Sequence, residues 1–329
     1  MRLLVTGGAG YIGSVVTAEL LGAGHQVTVL DDLSTGHADA VPDGAEFVRA
    51  SITEADPVLA AGEFDAVLHF AAKSLVPESV VAPELYWHNN TVGSLALLDS
   101  MRRHDLRTIV FSSTAATYGE PDSVPIEETS PTRPTNPYGA SKLAVDHLLT
   151  SYAGAHRFSA VSLRYFNVAG ARIDGEDPAR SLGERHATET HLIPIALQVA
   201  AGSRPQLQVN GVHYPTPDGS CVRDYIHVLD LADAHLRALE HAVAHAGGGH
   251  LICNLGSGSG SSVREVLDSV RRITGRPTPA VDAPNRPGDP AVLIASNDRA
   301  AAELGWRPTR DLDRMVADAW QFYRQHSHD

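Results

Sequence analysis

The sequence predicts an α/β protein built on a doubly wound parallel sheet, with a smaller C-terminal domain. Two observations lead there. In the first half, short apolar runs alternate with helical patterns. Such alternation implies parallel strands with helices on both faces, joined by right-handed crossovers. The first of these runs also leads straight into a glycine turn, Gly7-Gly8-Ala9-Gly10-Tyr11-Ile12-Gly13, from which a helix opens. That strand, turn and helix together mark a Rossmann-type fold.

The elements follow in order. Leu3–Val5, Gln26–Leu30, Ala66–Phe70, Thr108–Ser112 and Ala160–Tyr165 are rich in Val, Ile, Leu and Phe and read as strands. Ser14–Leu21 and Leu85–Met101 between them read as helices. After Gly170 the texture changes. Residues 171–190 are polar and irregular, with Gly175, Pro178 and Gly183. A proline-bearing apolar helix is expected over His191–Ala201, then Gly- and Pro-rich loops up to Gly219. Val222–His227 and Leu251–Leu255 read as strands, and Ala283–Pro290 as turns. The expected division is residues 1–170 as the nucleotide domain and 171–329 as mainly a substrate domain. Segments near 222–255 are expected to return to the first.

Composition narrows the function. The 329 residues are 43% hydrophobic and 20% charged, the balance of a globular protein with a substantial core. The formal charge of −13 repels phosphate backbones and anionic membrane surfaces, so neither nucleic acid nor membrane is an expected partner. An anionic small substrate would need local arginines against that field. The longest apolar stretch, Leu192 to Ala201, is too short to span a bilayer. Met1 leads directly into the first strand, leaving no room for a signal stretch, and a cytoplasmic location is expected. The two cysteines, Cys221 and Cys253, share no close-spaced ligand pattern. No disulfide framework and no metal is therefore expected.

Gly7, Gly10 and Gly13 have the spacing of a dinucleotide fingerprint. They permit a tight turn, a close approach of backbone amides to a pyrophosphate, and close packing of helix on strand. Asp31 and Asp32 follow the second strand, where a carboxylate accepts from adenosine ribose hydroxyls and repels a 2′-phosphate. NAD rather than NADP is the expected cofactor.

Asn136-Pro137-Tyr138 reads as a helix start, with Asn136 as N-cap and Pro137 in the first turn. Tyr138 and Lys142 then share one helical face. A free tyrosine titrates near about 10, too high for a base at neutral pH. A nearby ammonium and a positive nicotinamide ring both favour its phenolate. Phe111-Ser112-Ser113-Thr114 ends a strand at the sheet edge that carries ligands in α/β folds. Thr114 or Ser113 is placed to hydrogen-bond Tyr138 and the reacting hydroxyl.

With Leu163-Arg164-Tyr165-Phe166-Asn167 and Val222-Arg223-Asp224-Tyr225-Ile226-His227-Val228, these residues resemble the extended short-chain dehydrogenase/reductase family, and within it the nucleotide-sugar 4-epimerases. The likeness runs from Met1 through Leu304-Gly305-Trp306. It implies an isomerase that interconverts UDP-glucose and UDP-galactose: Tyr138 removes the 4-hydroxyl proton, hydride passes to NAD, the 4-keto sugar turns over, and hydride returns to the other face. It further implies Tyr138, Lys142 and Thr114 as the catalytic set. Gly7, Gly10, Tyr11, Ile12, Gly13, Asp31, Asp32, Ser51, Ile52, Phe70, Ala71, Lys73, Asn89, Ser112 and Tyr165 would join Tyr138 and Lys142 around the cofactor. Asn167, His191, Leu192, Arg223, Arg286 and Asp289 would join Thr114 and Tyr138 around the UDP-sugar. A homodimer is implied too, pairing the helix before Met101 and the helix carrying Lys142 into a four-helix bundle.

The chain departs from the family at Ser51, where an aspartate commonly faces the adenine, at His191, where an asparagine often stands, and at Asn210, often aromatic. Leu293 matches a position that limits pocket size. Acceptance of UDP-N-acetylhexosamines or UDP-pentoses is an alternative. A nucleotide-sugar 4,6-dehydratase is another, but the run Ser113-Thr114-Ala115-Ala116-Thr117 has alanines where such enzymes carry Asp-Glu. A non-enzymatic NAD-binding regulator would need neither Tyr138/Lys142 nor the candidate UDP arginines.

Overall fold

A computed structural model describes residues 1–285 and 289–326. Seven parallel strands form the central sheet: β1 (Arg2–Thr6), β2 (Gln26–Asp31), β3 (Glu46–Arg49), β4 (Ala66–His69), β5 (Thr108–Thr114), β6 (Ser159–Tyr165) and β7 (Gly249–Leu255). Their order across the sheet is β7-β6-β5-β4-β1-β2-β3. This is a Rossmann-type α/β fold. The strand order reverses between β1 and β4, and a crevice opens at their C-terminal ends, where open α/β sheets bind ligands.

The interior strands are apolar on both faces because helices cover both. Leu3 and Val5 point to one core with Val15, Val29 and Leu231, and Leu4 points to the other with Leu97, Ile109 and Leu149. Each such buried side chain contributes about 1.5–3 kcal/mol. The helices that matter for the site are α1 (Tyr11–Gly22), α2 (Gly93–Arg103), α3 (Pro137–His156), α4 (Leu192–Ala201), α5 (Val228–Ala244), α6 (Val263–Thr274) and α7 (Leu312–His326). Helices α4, α6 and α7 enclose a separate apolar cluster around Ile193, Leu197, Val266, Val270 and Trp320.

The structure departs from expectation at four places. The helix expected over Leu85–Met101 is three pieces, a turn at Pro83–Tyr86, a wider π turn at Trp87–Val92, and α2. Val222–His227 is two strands. Val222–Arg223 pairs with Ser261–Ser262 and Val292–Leu293, and Tyr225–His227 with Asn167–Ala169. Asp224 turns inward between them to accept from Ser257, Gly258 and Ala295 backbone N–H groups. β3 was not anticipated. It is the outermost strand of the sheet and carries no continuous apolar run. The irregular stretch after Gly170 contains two short paired strands, Ala171–Arg172 and Leu182–Gly183.

Candidate active site

The glycine turn is shaped by backbone sterics. Gly7 has φ of +74°, and a Cβ there would sit 2.4 Å from the Ala71 nitrogen at the end of β4. A Cβ on Gly13 would sit 2.2 Å from the Gly7 carbonyl. At Gly10 the nearest protein atom would be 3.4 Å away, so the protein's own packing is not what keeps that position bare. Gly10 is the N-cap of α1 and offers no side-chain cap. The first N–H groups of α1 therefore face the crevice at the positive end of the helix, beside Ile12. These features fit the pyrophosphate of a dinucleotide.

Asp31 is buried at the rim. One carboxylate oxygen accepts from Ala9 N–H at 3.0 Å and the other from Leu33 N–H at 2.8 Å. Burial raises its pKa while those two bonds oppose the rise. A carboxylate has about four acceptor sites, so it can hold the loop and still accept from a ribose. Asp32 is exposed and caps Ser34 N–H at 2.8 Å. Ser51 caps the turn Ile52–Glu54 through a capping box, and Ile52 is buried beneath it. Phe70 and Ala71 follow β4 and complete the far side of the crevice, both donating backbone N–H to Thr6. Tyr11 turns its phenol away from the turn, donating to the Gly170 carbonyl at 2.6 Å.

The catalytic candidates converge at the end of β5. Asn136 caps α3 by accepting from Gly139 N–H at 2.9 Å, with Pro137 at the first position. This fixes Tyr138 in the first turn and Lys142 one turn on. Between the two hydroxyl candidates the structure chooses Thr114. Its oxygen accepts from Ala116 N–H at 3.1 Å, which leaves the hydroxyl proton for the Tyr138 phenol. Ser113 points to the opposite face of the strand and bonds Asp146. Burial raises the Tyr138 pKa, and the Thr114 hydrogen bond opposes that rise. Lys142 is 3% exposed and donates to the Ser112 carbonyl at 2.7 Å. Burial lowers it to about 7, against the pull of Asp146. The Ser112 hydroxyl is hydrogen-bonded to Tyr165.

Residues not anticipated from the sequence hold this set in place. Asn90 accepts from Lys73 N–H at 2.8 Å and donates to the Lys73 carbonyl and to Ser141 on α3, both at 3.0 Å. Asn89, its neighbour, donates to Asn90 at 3.1 Å. His69 lies between Thr6 at 2.7 Å and Ser94 at 2.8 Å, and burial, with the Lys142 charge, pushes it down to about 3. It is thus a neutral strut. Asp146 pairs with Arg164 at 2.9 Å in full burial. A lone Asn, His or Asp on an apolar face carries no local pattern that would have flagged these roles.

The substrate candidates are more dispersed. Asn167 is exposed at the end of β6, and its N–H bonds the Asp224 carbonyl at 2.9 Å. Arg223 and Asp289 are ion-paired with each other. Leu192 opens α4 and packs on its apolar cluster. His191 precedes it, hydrogen-bonded through Nδ1 to Glu184. Burial lowers the charge of His191, but Glu184 and Glu189 outweigh it and hold the ring at about 9. Leu293 packs with Tyr118, Ile126, Phe166 and Ala295. Arg286 lies outside the described residues.

A glycine-turn crevice at the switch point, beside Thr114, Tyr138 and Lys142 on β5 and α3, defines a dinucleotide-dependent oxidoreductase-type enzyme. Comparison narrows the class. Residues 3–256 match the NAD dependent epimerase/dehydratase family, and the chain belongs to that family. It is 55% identical to the UDP-glucose 4-epimerase of Corynebacterium glutamicum, over 98% of this chain and 95% of that one. Identity to the Streptomyces lividans UDP-glucose 4-epimerase is also 55%, over 99% and 97%. Among solved structures, the UDP-glucose 4-epimerase of Brucella ovis in complex with NAD superposes with a TM-score of 0.91 at 46% identity, covering 97% of each chain. The Bifidobacterium longum UDP-glucose 4-epimerase, in complex with NAD+ and UDP, gives 0.91 at 36% identity, covering 99% of each.

Proposed function

We propose that this protein inverts C4 of a UDP-hexose, interconverting UDP-glucose and UDP-galactose, with NAD held in the glycine-turn crevice. The observation that carries this is the convergence of Thr114, Tyr138 and buried Lys142 at the sheet edge next to that crevice. NAD, when bound, supplies an acceptor that takes hydride from C4 and gives it back. The chain's own residues manage the proton. Tyr138 takes it from the 4-hydroxyl and returns it after the sugar has turned. Thr114 donates to the phenol oxygen and so favours its ionised form. Lys142 adds positive charge when protonated and, lowered to about 7, titrates near neutrality. A positioned base of this kind contributes about 10²–10⁴-fold.

The UDP group is assigned to Asn167, His191, Leu192, Arg223, Arg286 and Asp289. Arg223 supports this best: its planar fork suits a diphosphate, which would compete with Asp289 for it. Residues 1–170 would hold the cofactor and 171–329 mainly the substrate, with the stretch near 222–255 rejoining the first part. A second copy of the chain is the proposed partner. It would cover the exposed Leu85, Trp87 and Val92 of the segment leading into α2 and Leu95 in its first turn. No helix among the described residues is long and apolar enough to cross a membrane. The buried thiols of Cys221 and Cys253, neither in a disulfide, suit a reducing cytoplasm.

The test is conversion of UDP-galactose to UDP-glucose, followed by proton NMR and compared with UDP-N-acetylgalactosamine and UDP-arabinose. Turnover of UDP-galactose at the highest kcat/KM supports the reading. Turnover of only the other sugars, or of none, refutes it.

A further inference from the structure

Glu184, His186, Glu189 and His191 lie on one short stretch between strand Leu182–Gly183 and α4. One ligand-type atom from each lies within 4.8 Å of all the others. His186 Nδ1 is 3.2 Å from Glu184 Oε1 and 3.4 Å from Glu189 Oε2. His191 Nδ1 contacts the same Glu184 oxygen and lies 3.8 Å from Glu189 Oε1. A tetrahedral ion with bonds of about 2.0–2.2 Å sets its ligand atoms roughly 3.3–3.5 Å apart. The spacing here brackets that figure.

Ion pairing alone leaves part of this arrangement unexplained. The two carboxylate side chains are only 7% and 5% exposed. Two negative groups side by side in such burial need compensation, which the two imidazoles supply through shared protons when no ion is bound. His186 Nδ1 is buried between the two carboxylates, at 3.2 and 3.4 Å from them, and its ring is poorly aligned for a hydrogen bond to either. A hydrogen bond needs the ring N–H aimed at one oxygen. A metal ion needs lone pairs converging on a shared point, and the His186 nitrogen lies between two carboxylate oxygens.

We propose that Glu184, His186, Glu189 and His191 form a structural site for a divalent cation of the zinc class, with two imidazole nitrogens and two carboxylate oxygens. Imidazole ligands disfavour Mg²⁺ and Ca²⁺, which take oxygen sets, and the absence of thiolate from the four disfavours Cu(I). Four protein ligands close the tetrahedron, as in sites that hold structure rather than perform chemistry, and His191 would use Nδ1 for the ion and keep Nε2 for the UDP group. The two cysteines gave no sign of such a site because neither takes part.

The location gives the ion a role. Arg185, inside the stretch, forms a two-pronged pair with Asp39 at 2.8 and 2.9 Å, and its carbonyl bonds His37 at 3.0 Å. Those partners follow β2. The same cluster lines a cavity of about 190 Å³ with Gly170, the acceptor of the Tyr11 phenol. An ion here pins residues 184–191 where α4 and its surroundings meet the cofactor domain. Binding displaces the protons that the imidazoles share with the carboxylates.

The test measures metal, not turnover, so it stands apart from the epimerase assignment. Full-length protein is incubated with zinc, desalted and analysed by mass spectrometry. The wild type is expected to retain about one zinc per chain, and H186Q and E189Q to lose at least about tenfold of it. H241Q, on α5 away from the cluster, is expected to retain it. X-ray absorption of the wild type, which needs no variant to fold, is expected to show imidazole and oxygen ligands without sulfur. No zinc retained by the wild type, full retention by both variants, or a sulfur ligand would each overturn the proposal.

Discussion

Burial holds the proton on Tyr138, and among the charges and dipoles around it the Thr114 hydroxyl is what opposes this. Phenolate formation therefore depends on that hydroxyl and on positive charge added beside it. Tyr138→Phe is expected to lower kcat by about 10²–10⁴-fold while bound NAD, read from its absorbance after denaturation, stays at wild-type level. Lys142 gives a sharper check through stability. Burial brings it from 10.5 to about 7 in the fold. Between those values the unfolded chain binds the extra proton, so stability of the cofactor-free protein rises with pH across that window. The destabilisation from burying the charge is complete below about 7 and gone above about 10.5. Lys142→Met should therefore raise the melting temperature at about pH 6 and lose that gain above about pH 10, and an equal gain at both would contradict the assignment. Asp31→Ala should relax the preference for NAD over NADP, measured as the ratio of their dissociation constants. An unchanged ratio would remove the ribose contact.

At the scale of elements, Asn90 joins the segment after β4 to α3, so it sets where Tyr138 stands relative to the glycine turn. Asn90→Ala strands the Lys73 N–H and is expected to cost about 1–3 kcal/mol, measured by urea denaturation. None of this was legible in the chain, because an asparagine inside a helical stretch looks the same whether it faces solvent or bonds Lys73 and Ser141. What was legible is local or sterically forced. β1, β2, β4, β5 and β6 announce themselves because strands covered on both faces are apolar throughout. Gly7 and Gly13 are readable because no side chain fits between them and the backbone they touch. β3, at the open edge, lacks that signal. The π turn at Trp87–Val92 is invisible to helical periodicity, since one extra residue per turn leaves the apolar pattern nearly intact. The Asp146–Arg164 pair joins α3 to β6, and no sequence spacing encodes that meeting.

For the whole molecule, the parallel sheet supplies the crevice at its switch point, and the cluster built on α4, α6 and α7 stands beside it. The acidic charge of −13 gives no general attraction for a nucleotide sugar, so the proposed recognition needs local arginines such as Arg223 against that field. Pairing of two copies through the segment around Val92 and Leu95 predicts that Leu95→Glu shifts the sedimentation profile from dimer to monomer. An unaltered dimer would place the interface elsewhere. The central claim is that the sugar is oxidised and restored at C4 within one closed site. UDP-galactose carrying deuterium at C4, incubated in ordinary water with the purified protein and no added cofactor, tests this most directly. The account predicts UDP-glucose with the label kept at C4. Label lost to solvent, or no product until NAD is supplied in every cycle, would contradict it.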